Sequence, residues 1–160
     1  MGSPSAEPYA TLAGVYEFLT PDGFLTPEDS SAGLAGLLPA GARVLDCACG
    51  IGLLAAGLTA RGFAVAASDA SPEMVARTRA RGVQAHVCRW EDLSGGPYDA
   101  VLCVGNSLAH ARDRRAALAG MAGVLAPDGL LVVTSRNWER ERAGGSRLEV
   151  GDRLAVAPVP

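Results

Sequence analysis

One stretch, from Arg43 to Gly52, constrains the fold of this chain more than any other. An apolar, strand-like run carries a carboxylate near its end, Asp46, and leads into a loop of small residues that contains Gly50 and Gly52. The residues from Leu53 to Arg61 then follow a helical pattern. A strand, a glycine loop and a helix in this order are typical of an adenosine-cofactor site at the first strand of a parallel sheet.

Strand and helix patterns alternate after this loop. Four further strands are predicted, at Phe63 to Ser68, Val83 to Cys88, Tyr98 to Val104 and Leu130 to Ser135, with Pro127-Asp128-Gly129 turning the chain into the last one. The third strand alternates apolar and polar residues and is expected at an edge, whereas the other four are nearly continuous apolar runs. Right-handed crossovers then predict a doubly wound, mainly parallel, Rossmann-like α/β sheet of order 3-2-1-4-5.

Two helices are predicted before the first strand. Apolar residues at helical spacing indicate one from Tyr9 to Leu19, and the other follows the N-cap Thr26, with Leu34, Leu37 and Leu38 on its buried face. The pattern after Arg136 is weaker: two short segments, Arg147 to Val150 and Leu154 to Val156, fit a hairpin, and the alternative is an irregular tail. We expect a single domain over residues 1–160, with a helical N-terminal lid segment (1–40), a core (41–138) and the tail (139–160).

Composition argues against several classes of function. All 14 basic residues are arginines, and without lysine the chain lacks the key residue of a phosphate-binding Walker loop or a Schiff base. A net charge of -3 without a basic run argues against a nucleic-acid partner. The sequence holds no apolar run of membrane-spanning length and no signal-peptide pattern at its start, which indicates a soluble, cytoplasmic protein with no membrane partner.

The four cysteines form no C-x-x-C pair. They lie in or beside apolar strand-like segments, at Cys47, Cys49, Cys88 and Cys103. A structural zinc site needs four ligands at paired spacing, so we expect free thiols and no metal.

Two aspartates at strand ends decide which cofactor the loop suits. Gly50 to Ala55 also fits the dinucleotide fingerprint, but a carboxylate just before the glycines repels a pyrophosphate and attracts an ammonium group. S-adenosylmethionine carries an ammonium group, a sulfonium and two ribose hydroxyls, which Asp69 is placed to accept. Either aspartate alone could be a strand-end cap, but Asp46 and Asp69 together favour S-adenosylmethionine over a nicotinamide cofactor.

Four strings of residues carry a resemblance to a known family. They are V-L-D-C-A-C-G-I-G (44–52), D-A-S-P-E-M (69–74), Y-D-A-V-L-C-V-G-N-S-L-A-H (98–110) and L-A-P-D-G-L-L-V-V-T-S-R-N-W (125–138). The chain resembles the class I S-adenosylmethionine-dependent methyltransferases from about Tyr9 to Trp138. Within them it is most similar to the glycine and sarcosine N-methyltransferase group, because G-N-S-x-A-H and R-N-aromatic are the more specific segments.

The resemblance implies a set of site residues. The residues that would bind the cofactor are Tyr9, Asp46, Ala48, Gly50, Gly52, Asp69, Ala70, Met74, Trp90, Glu91, Val104 and His110. Arg89 occupies the position at which the family usually has an acidic or amide side chain for the adenine amine, so Glu91 or Asp92 would accept that amine instead. The catalytic set would be Asn106 facing the substrate, Arg136 clamping its carboxylate, and His110 or Tyr16 relaying a proton. From the residues alone, Arg136 could be a surface arginine, Trp90 a core aromatic and His110 a helix-start residue.

These features predict N-methylation of an amino acid or similar small amine that bears a carboxylate. The alternatives are O- or C-methylation in a natural-product pathway and a non-catalytic S-adenosylmethionine-binding fragment. The resemblance implies two more strands after the fifth, and the N-methyltransferase group holds the cofactor carboxylate with an N-terminal basic residue that this chain lacks before Arg43. We therefore expect a partial chain or a reduced cofactor-binding half, acting on a small molecule, with a homo-oligomer left open.

Overall fold

A computed structural model describes residues 26–135 and a two-residue strand at 157–158. The helices are α1 (Pro27–Ala35), α2 (Leu53–Ala60), α3 (Pro72–Ala80) and α4 (Arg114–Gly123), and two 3-10 turns lie at Trp90–Asp92 and Ser107–His110. The strands are β1 (Arg43–Cys47), β2 (Ala64–Asp69), β3 (Gln84–Val87), β4 (Tyr98–Cys103), β5 (Leu125–Val133) and β6 (Ala157–Pro158).

The strands form one sheet of order β3-β2-β1-β4-β5-β6. Strands β1 to β5 are parallel to their neighbours and β6 runs antiparallel to β5, so the predicted order 3-2-1-4-5 and the edge position of β3 are confirmed. Because parallel strands end at the same side of a sheet, this fold gathers the loops after β1 to β5. We call this side the C-terminal edge; the strands reach it at Cys47, Asp69, Val87, Cys103 and Val133.

The central strands are buried on both faces. Val44 of β1 lies in a cluster with Leu58 and Leu102, whereas its neighbour Leu45 packs with Val101 and Met121 on the opposite face. Each of these side chains is at most 3% exposed, which accounts for the continuous apolar runs in β1 and β4.

Helix α1 begins as predicted but its buried face is narrower. Thr26 caps it, since its Oγ1 accepts a hydrogen bond from the Asp29 N–H at 3.1 Å. Leu34 and Leu38 are buried, but the prediction for Leu37 is wrong because its side chain is 40% exposed. The helix ends at Ala35, so helical spacing no longer applies to the turn that holds Leu37.

Strand β5 begins earlier than the sequence predicted. Leu125 already pairs with Tyr98, and the ladder resumes with Leu130 opposite Ala100. The residues between them, including Pro127 and Asp128, form an irregularity within the strand rather than a turn before it. Backbone pairing at Tyr98, whose N–H donates to the Val124 carbonyl at 2.9 Å, extends the strand across the turn signal.

Helix α1 packs closely on α2. A Cβ added at Gly57 would overlap the carbonyl oxygen of Pro27, and Arg61 Nε donates to Ser31 Oγ at 2.9 Å. Ser31 is fully buried, so this hydrogen bond joins the two helices away from solvent.

Several predicted segments lie outside the described residues. They are the helix at Tyr9 to Leu19 and the hairpin segments at 147–150 and 154–156. Within the described residues, no helix is long and apolar enough to cross a membrane.

Candidate cofactor site

The loop between β1 and α2 has an unusual backbone. Ala48, Gly50 and Gly52 all have left-handed conformations, with φ of 66°, 55° and 81°. Glycine is required at Gly52, because a Cβ there would lie 2.7 Å from two side-chain atoms of Thr78. Ala48 carries a Cβ and therefore does not adopt this conformation as readily as glycine; the left-handed region costs an L-residue roughly 1–2 kcal/mol. Strain of this kind is concentrated at functional sites.

Asp46 is a buried carboxylate in β1, one residue before the strand ends. Its side chain is 2% exposed, and among the described residues its Oδ2 has no hydrogen-bond partner. Burial, and next the charge of Asp69, raise the pKa of Asp46 from 3.8 to about 7, while the Ala55 backbone N–H acts in the opposite direction. A buried acceptor without a partner is costly, so this oxygen is suited to a cationic or hydrogen-bond-donating ligand.

Asp69 lies at the end of the neighbouring strand β2 and ties the loop down. Its Oδ2 accepts the Gly50 N–H at 2.9 Å and its Oδ1 accepts the Ser71 N–H at 2.9 Å. Burial raises the pKa of Asp69, and the backbone N–H groups of Ser71, Gly50 and Ala70 oppose this shift. Each carboxylate oxygen has a second lone pair, so Asp69 retains the capacity to accept two ligand hydroxyls.

The segment after β2 leads directly from Asp69 into α3. Ala70 follows the aspartate, and Ser71 caps the helix by accepting the Met74 N–H at 3.3 Å. Met74 is 1% exposed and therefore lies within the core at the start of α3. Burial, followed by the charge of Asp46, raises the pKa of the loop thiol Cys49, which therefore stays protonated.

The segment after β3 carries the predicted adenine contacts. Trp90 is half-buried and packs against the cluster that contains Leu45 and Met121. A Cβ added at Gly120 would overlap the carbonyl oxygen of Trp90, so the turn at Trp90 packs closely on α4. Glu91 is exposed, and its Oε2 pairs with Arg89 Nε at 3.5 Å.

The segment after β4 carries the predicted substrate contacts. Asn106 is half-buried, has a φ of 66° and occupies the N-cap position of the turn that contains the exposed His110. The Ser135 hydroxyl donates to Asn106 Oδ1 at 3.4 Å, and the Gly105 N–H donates to Thr134 Oγ1 at 2.9 Å. Hydrogen bonds thus join this turn to the residues just after β5.

The structure brings some predicted residues together and not others. Gly50 donates a hydrogen bond to Asp69, and the charge of Asp69 acts on Asp46. Ala48 and Gly52 belong to the same loop as Gly50, and Ala70 follows Asp69. Trp90, Glu91, Val104, Asn106 and His110 follow β3 and β4 at the same C-terminal edge. The predictions for Tyr9, Tyr16 and Arg136 lie outside the described residues. No group of three metal-binding side chains occurs within the described part of the chain.

Sequence reasoning missed Thr78. This side chain is fully buried on α3, and its Oγ1 donates to the Gly50 carbonyl at 2.9 Å. The signal was available, because Thr78 lies four residues after Met74 and three after Val75, on the apolar stripe of its helix.

The comparison with known proteins agrees with this geometry. Residues 44–129 match the sequence family described as a methyltransferase domain, which is more than half of the chain.

This chain belongs to the methyltransferase-domain family.

The resemblance to methyltransferases read from the sequence is thereby confirmed.

Relatives of this methyltransferase domain include enzymes that act at different atoms. It is 40% identical over 124 residues to a glycine/sarcosine N-methyltransferase of Parasynechococcus marenigrum (strain WH8102), covering 69% of this chain and 44% of that protein. It is also 40% identical over 112 residues to a ubiquinone biosynthesis O-methyltransferase of Xanthomonas axonopodis pv. citri (strain 306), covering 64% and 46%. The chain thus spans less than half the length of these two relatives.

Solved structures share the fold of the methyltransferase domain. S-adenosylmethionine-bound CalS10, an amino pentose methyltransferase from Micromonospora echinaspora, superposes with a TM-score of 0.66 at 28% identity, covering 79% of this chain and 56% of that one. DesVI of Streptomyces venezuelae gives a TM-score of 0.69 at 25% identity, covering 78% and 57%.

Proposed function

We propose that this methyltransferase domain binds S-adenosylmethionine and transfers its methyl group to the nitrogen of a small amine that bears a carboxylate. The observation that carries the cofactor assignment is the buried Asp46 carboxylate, whose Oδ2 has no hydrogen-bond partner among the described residues. An ammonium group would neutralise this charge and donate the hydrogen bond that the oxygen lacks.

The surrounding residues fit the same ligand. The residues that would hold its methionine part are Asp46, Ala48, Gly50 and Gly52, and those for the adenosine are Asp69, Ala70, Met74, Trp90 and Glu91, with Val104 and His110 alongside. Asp69 keeps acceptor capacity for two ribose hydroxyls after accepting two backbone N–H groups.

A dinucleotide fits this loop less well. A pyrophosphate needs free backbone N–H groups at the glycine loop, but the Gly50 N–H already donates to Asp69. The buried carboxylate of Asp46 and the half-buried carboxylate of Asp69 would also face the phosphate charge. The site therefore favours a cation without phosphate.

When bound, S-adenosylmethionine supplies a methyl group on a sulfonium that needs no covalent enzyme nucleophile. The protein's own contribution is to hold donor and acceptor in line and to exclude water, which can be worth roughly 7–11 kcal/mol. Asn106 would orient the acceptor amine from its turn after β4. His110 or Tyr16 would take up its proton, and Arg136 would hold its carboxylate.

The choice of acceptor is supported by the glycine/sarcosine N-methyltransferase relative and by Asn106 and Arg136 in the sequence. It is tested by incubating the purified protein with S-adenosylmethionine and a panel of amino acids, decarboxylated amines, sugar amines and phenols, followed by mass spectrometry. We expect methylated amino acids. Products formed only from oxygen or carbon nucleophiles would contradict the amine.

Arg136 gives a sharper test of the carboxylate. Arg136→Ala should raise the KM of the carboxylate-bearing acceptor by a factor on the order of 10² and leave S-adenosylhomocysteine binding unchanged. Arg136→Lys keeps the charge but loses the bidentate geometry, so its KM for the acceptor should lie between those of the wild type and Arg136→Ala. The decarboxylated amine is the control substrate, and its turnover should not respond to either variant.

A second candidate is O- or C-methylation, which the ubiquinone biosynthesis O-methyltransferase relative favours. Unchanged turnover in Arg136→Ala would support it. A third is a non-catalytic binding module that would hold the cofactor at the same Asp46 and Asp69 carboxylates. It predicts calorimetric binding of S-adenosylhomocysteine without any methylated product, and stabilisation by NAD alone would contradict all three.

A further inference from the structure

We propose that Thr78 is a positioning residue that holds the glycine loop in the conformation that binds the cofactor. The proposal rests on the proposed function, because it concerns the same loop. Thr78 is the seventh residue of α3 and is fully buried. Its backbone carbonyl accepts the Arg81 N–H at the end of the helix, but its side chain caps neither end of α3.

The Thr78 side chain contacts the loop at three residues, Cys49, Gly50 and Gly52. Thr78 Oγ1 donates to the Gly50 carbonyl at 2.9 Å and lies 3.5 Å from Cys49 Sγ. Its Oγ1 and Cγ2 each lie 2.7 Å from the position that a Cβ at Gly52 would take. Thr78 therefore supports the loop through a hydrogen bond and through packing.

Gly50 is held on both sides of its backbone. Its N–H donates to Asp69 at 2.9 Å, while its carbonyl accepts from Thr78. Arg81 Nε adds a bond to the next carbonyl, that of Ile51, at 2.9 Å. Asp69 ends β2, Thr78 lies in α3 and Arg81 directly follows α3, so the loop is fixed to one continuous strand–helix unit.

This support matters because the loop is intrinsically loose. Glycine loses more conformational freedom on ordering than any other residue, and Gly50 and Gly52 both need left-handed backbone. A ligand that had to order the loop itself would bind more weakly, so a loop ordered in advance raises affinity. Removal of the Thr78 hydroxyl would also leave the half-buried Gly50 carbonyl with only the weak thiol donor of Cys49, at 3.7 Å.

The test separates the hydrogen bond from the packing. Thr78→Val keeps the shape and removes the donor, whereas Thr78→Ser keeps the donor and removes the methyl group. We expect Thr78→Val to weaken S-adenosylhomocysteine binding by roughly tenfold in calorimetry, and Thr78→Ser to restore it to within about threefold.

Thr59→Val is the matched control. Thr59 is exposed and its Oγ1 donates to the Ala55 carbonyl at 2.8 Å within α2, so the same substitution removes a hydroxyl-to-carbonyl hydrogen bond that does not involve the loop. It should leave S-adenosylhomocysteine binding within about twofold of the wild type.

Two readouts distinguish positioning from a merely structural role. Thr78→Val should raise the KM of S-adenosylmethionine while kcat at saturating donor and the KM of the acceptor stay close to wild type. Without any ligand, amide hydrogen exchange at residues 49–52 should be faster in Thr78→Val, while exchange in β1 and β4 is unchanged.

Equal S-adenosylhomocysteine affinity and equal loop exchange in Thr78→Val and wild type would overturn the proposal. A loss of affinity in Thr59→Val as large as that in Thr78→Val would also overturn it. Uniformly faster exchange throughout the chain would also overturn it, because Thr78 would then support only global stability. A wild-type protein that binds no S-adenosylhomocysteine would overturn the proposed function instead. Faster loop exchange in Thr78→Val would still establish the support of the loop in that case.

Discussion

At the scale of single residues, Asp46 couples stability to protonation. Its pKa is raised from 3.8 to about 7, so between these values the folded chain holds a proton that the unfolded chain has released. The free energy of unfolding must therefore fall as the pH rises through this window. The shift corresponds to a loss on the order of 4 kcal/mol by pH 8 in the ligand-free protein.

We expect Asp46→Asn to remove this pH dependence and to abolish binding of S-adenosylhomocysteine. The variant should be more stable than the ligand-free wild type at pH 8, by roughly 1–3 kcal/mol, because a neutral amide costs less to bury than a carboxylate. Urea unfolding at pH 5 and pH 8, with calorimetry for the ligand, measures both effects. A variant that binds normally, or that keeps the wild-type slope with pH, would show that Asp46 has neither role.

Ala48 is also a residue-scale feature, because its left-handed backbone is strained. Ala48→Gly should raise the free energy of unfolding by about 0.5–1 kcal/mol, since relief of the strain exceeds the entropy lost by adding a glycine. Asp128→Gly is the control, with a φ of 62° at an exposed site in the irregular part of β5. Aspartate tolerates this region, so its gain should be near zero. Destabilisation by Ala48→Gly in urea would contradict the argument.

At the scale of elements, the close approach of the α1 and α2 backbones requires a residue without a side chain at Gly57. Gly57→Ala should destabilise the protein by roughly 2–3 kcal/mol, because its Cβ would overlap the Pro27 backbone rather than a movable side chain. Gly33→Ala is the matched control on α1, where no atom lies within 4 Å of the added Cβ. It should stabilise by about 0.5–1 kcal/mol through helix propensity. Thermal unfolding of both variants tests the pair, and equal shifts would contradict the close packing.

The elements themselves could largely be predicted from the sequence. Continuous apolar runs identified β1 and β4, alternation placed β3 at the edge, and the cap at Thr26 located the start of α1. The start of β5 could not be predicted, because pairing of Leu125 with Tyr98 overrides the local turn signal of Pro127 to Gly129. The close contact at Gly57 could not be predicted either, since its partner Pro27 lies thirty positions earlier and only tertiary packing brings the two residues together.

At the scale of the whole molecule, the candidate site occupies one edge of the sheet. Addition of S-adenosylhomocysteine should slow amide exchange most in the loops that follow β1, β2 and β4, at residues 48–52, 70–71 and 105–106. The irregular part of β5, at residues 126–129, is the internal control and should change little. Hydrogen exchange with mass spectrometry resolves these segments, and protection spread evenly over both regions would contradict a site confined to the C-terminal edge.

The sequence could predict this arrangement only in part. Asp46 and Asp69 were identifiable because strand ends in a parallel sheet meet at one edge, so their positions along the chain implied proximity. Thr78 was missed because a polar residue on the apolar stripe of a helix has many explanations until its partner is seen. The hydrogen bond that the Gly50 N–H donates to Asp69 also could not be predicted, since it depends on the left-handed loop backbone.

The incomplete hydrogen bonding of Asp46 has a consequence for the amount of protein in a cell. A ligand that satisfies this carboxylate binds only the folded chain, so the unfolded fraction falls as the free ligand concentration rises. Quality-control proteases act on that unfolded fraction, and a difference of 1–2 kcal/mol can change abundance several-fold. If the methyl donor is the ligand, turnover of this protein would slow when the donor is plentiful and quicken when it is scarce.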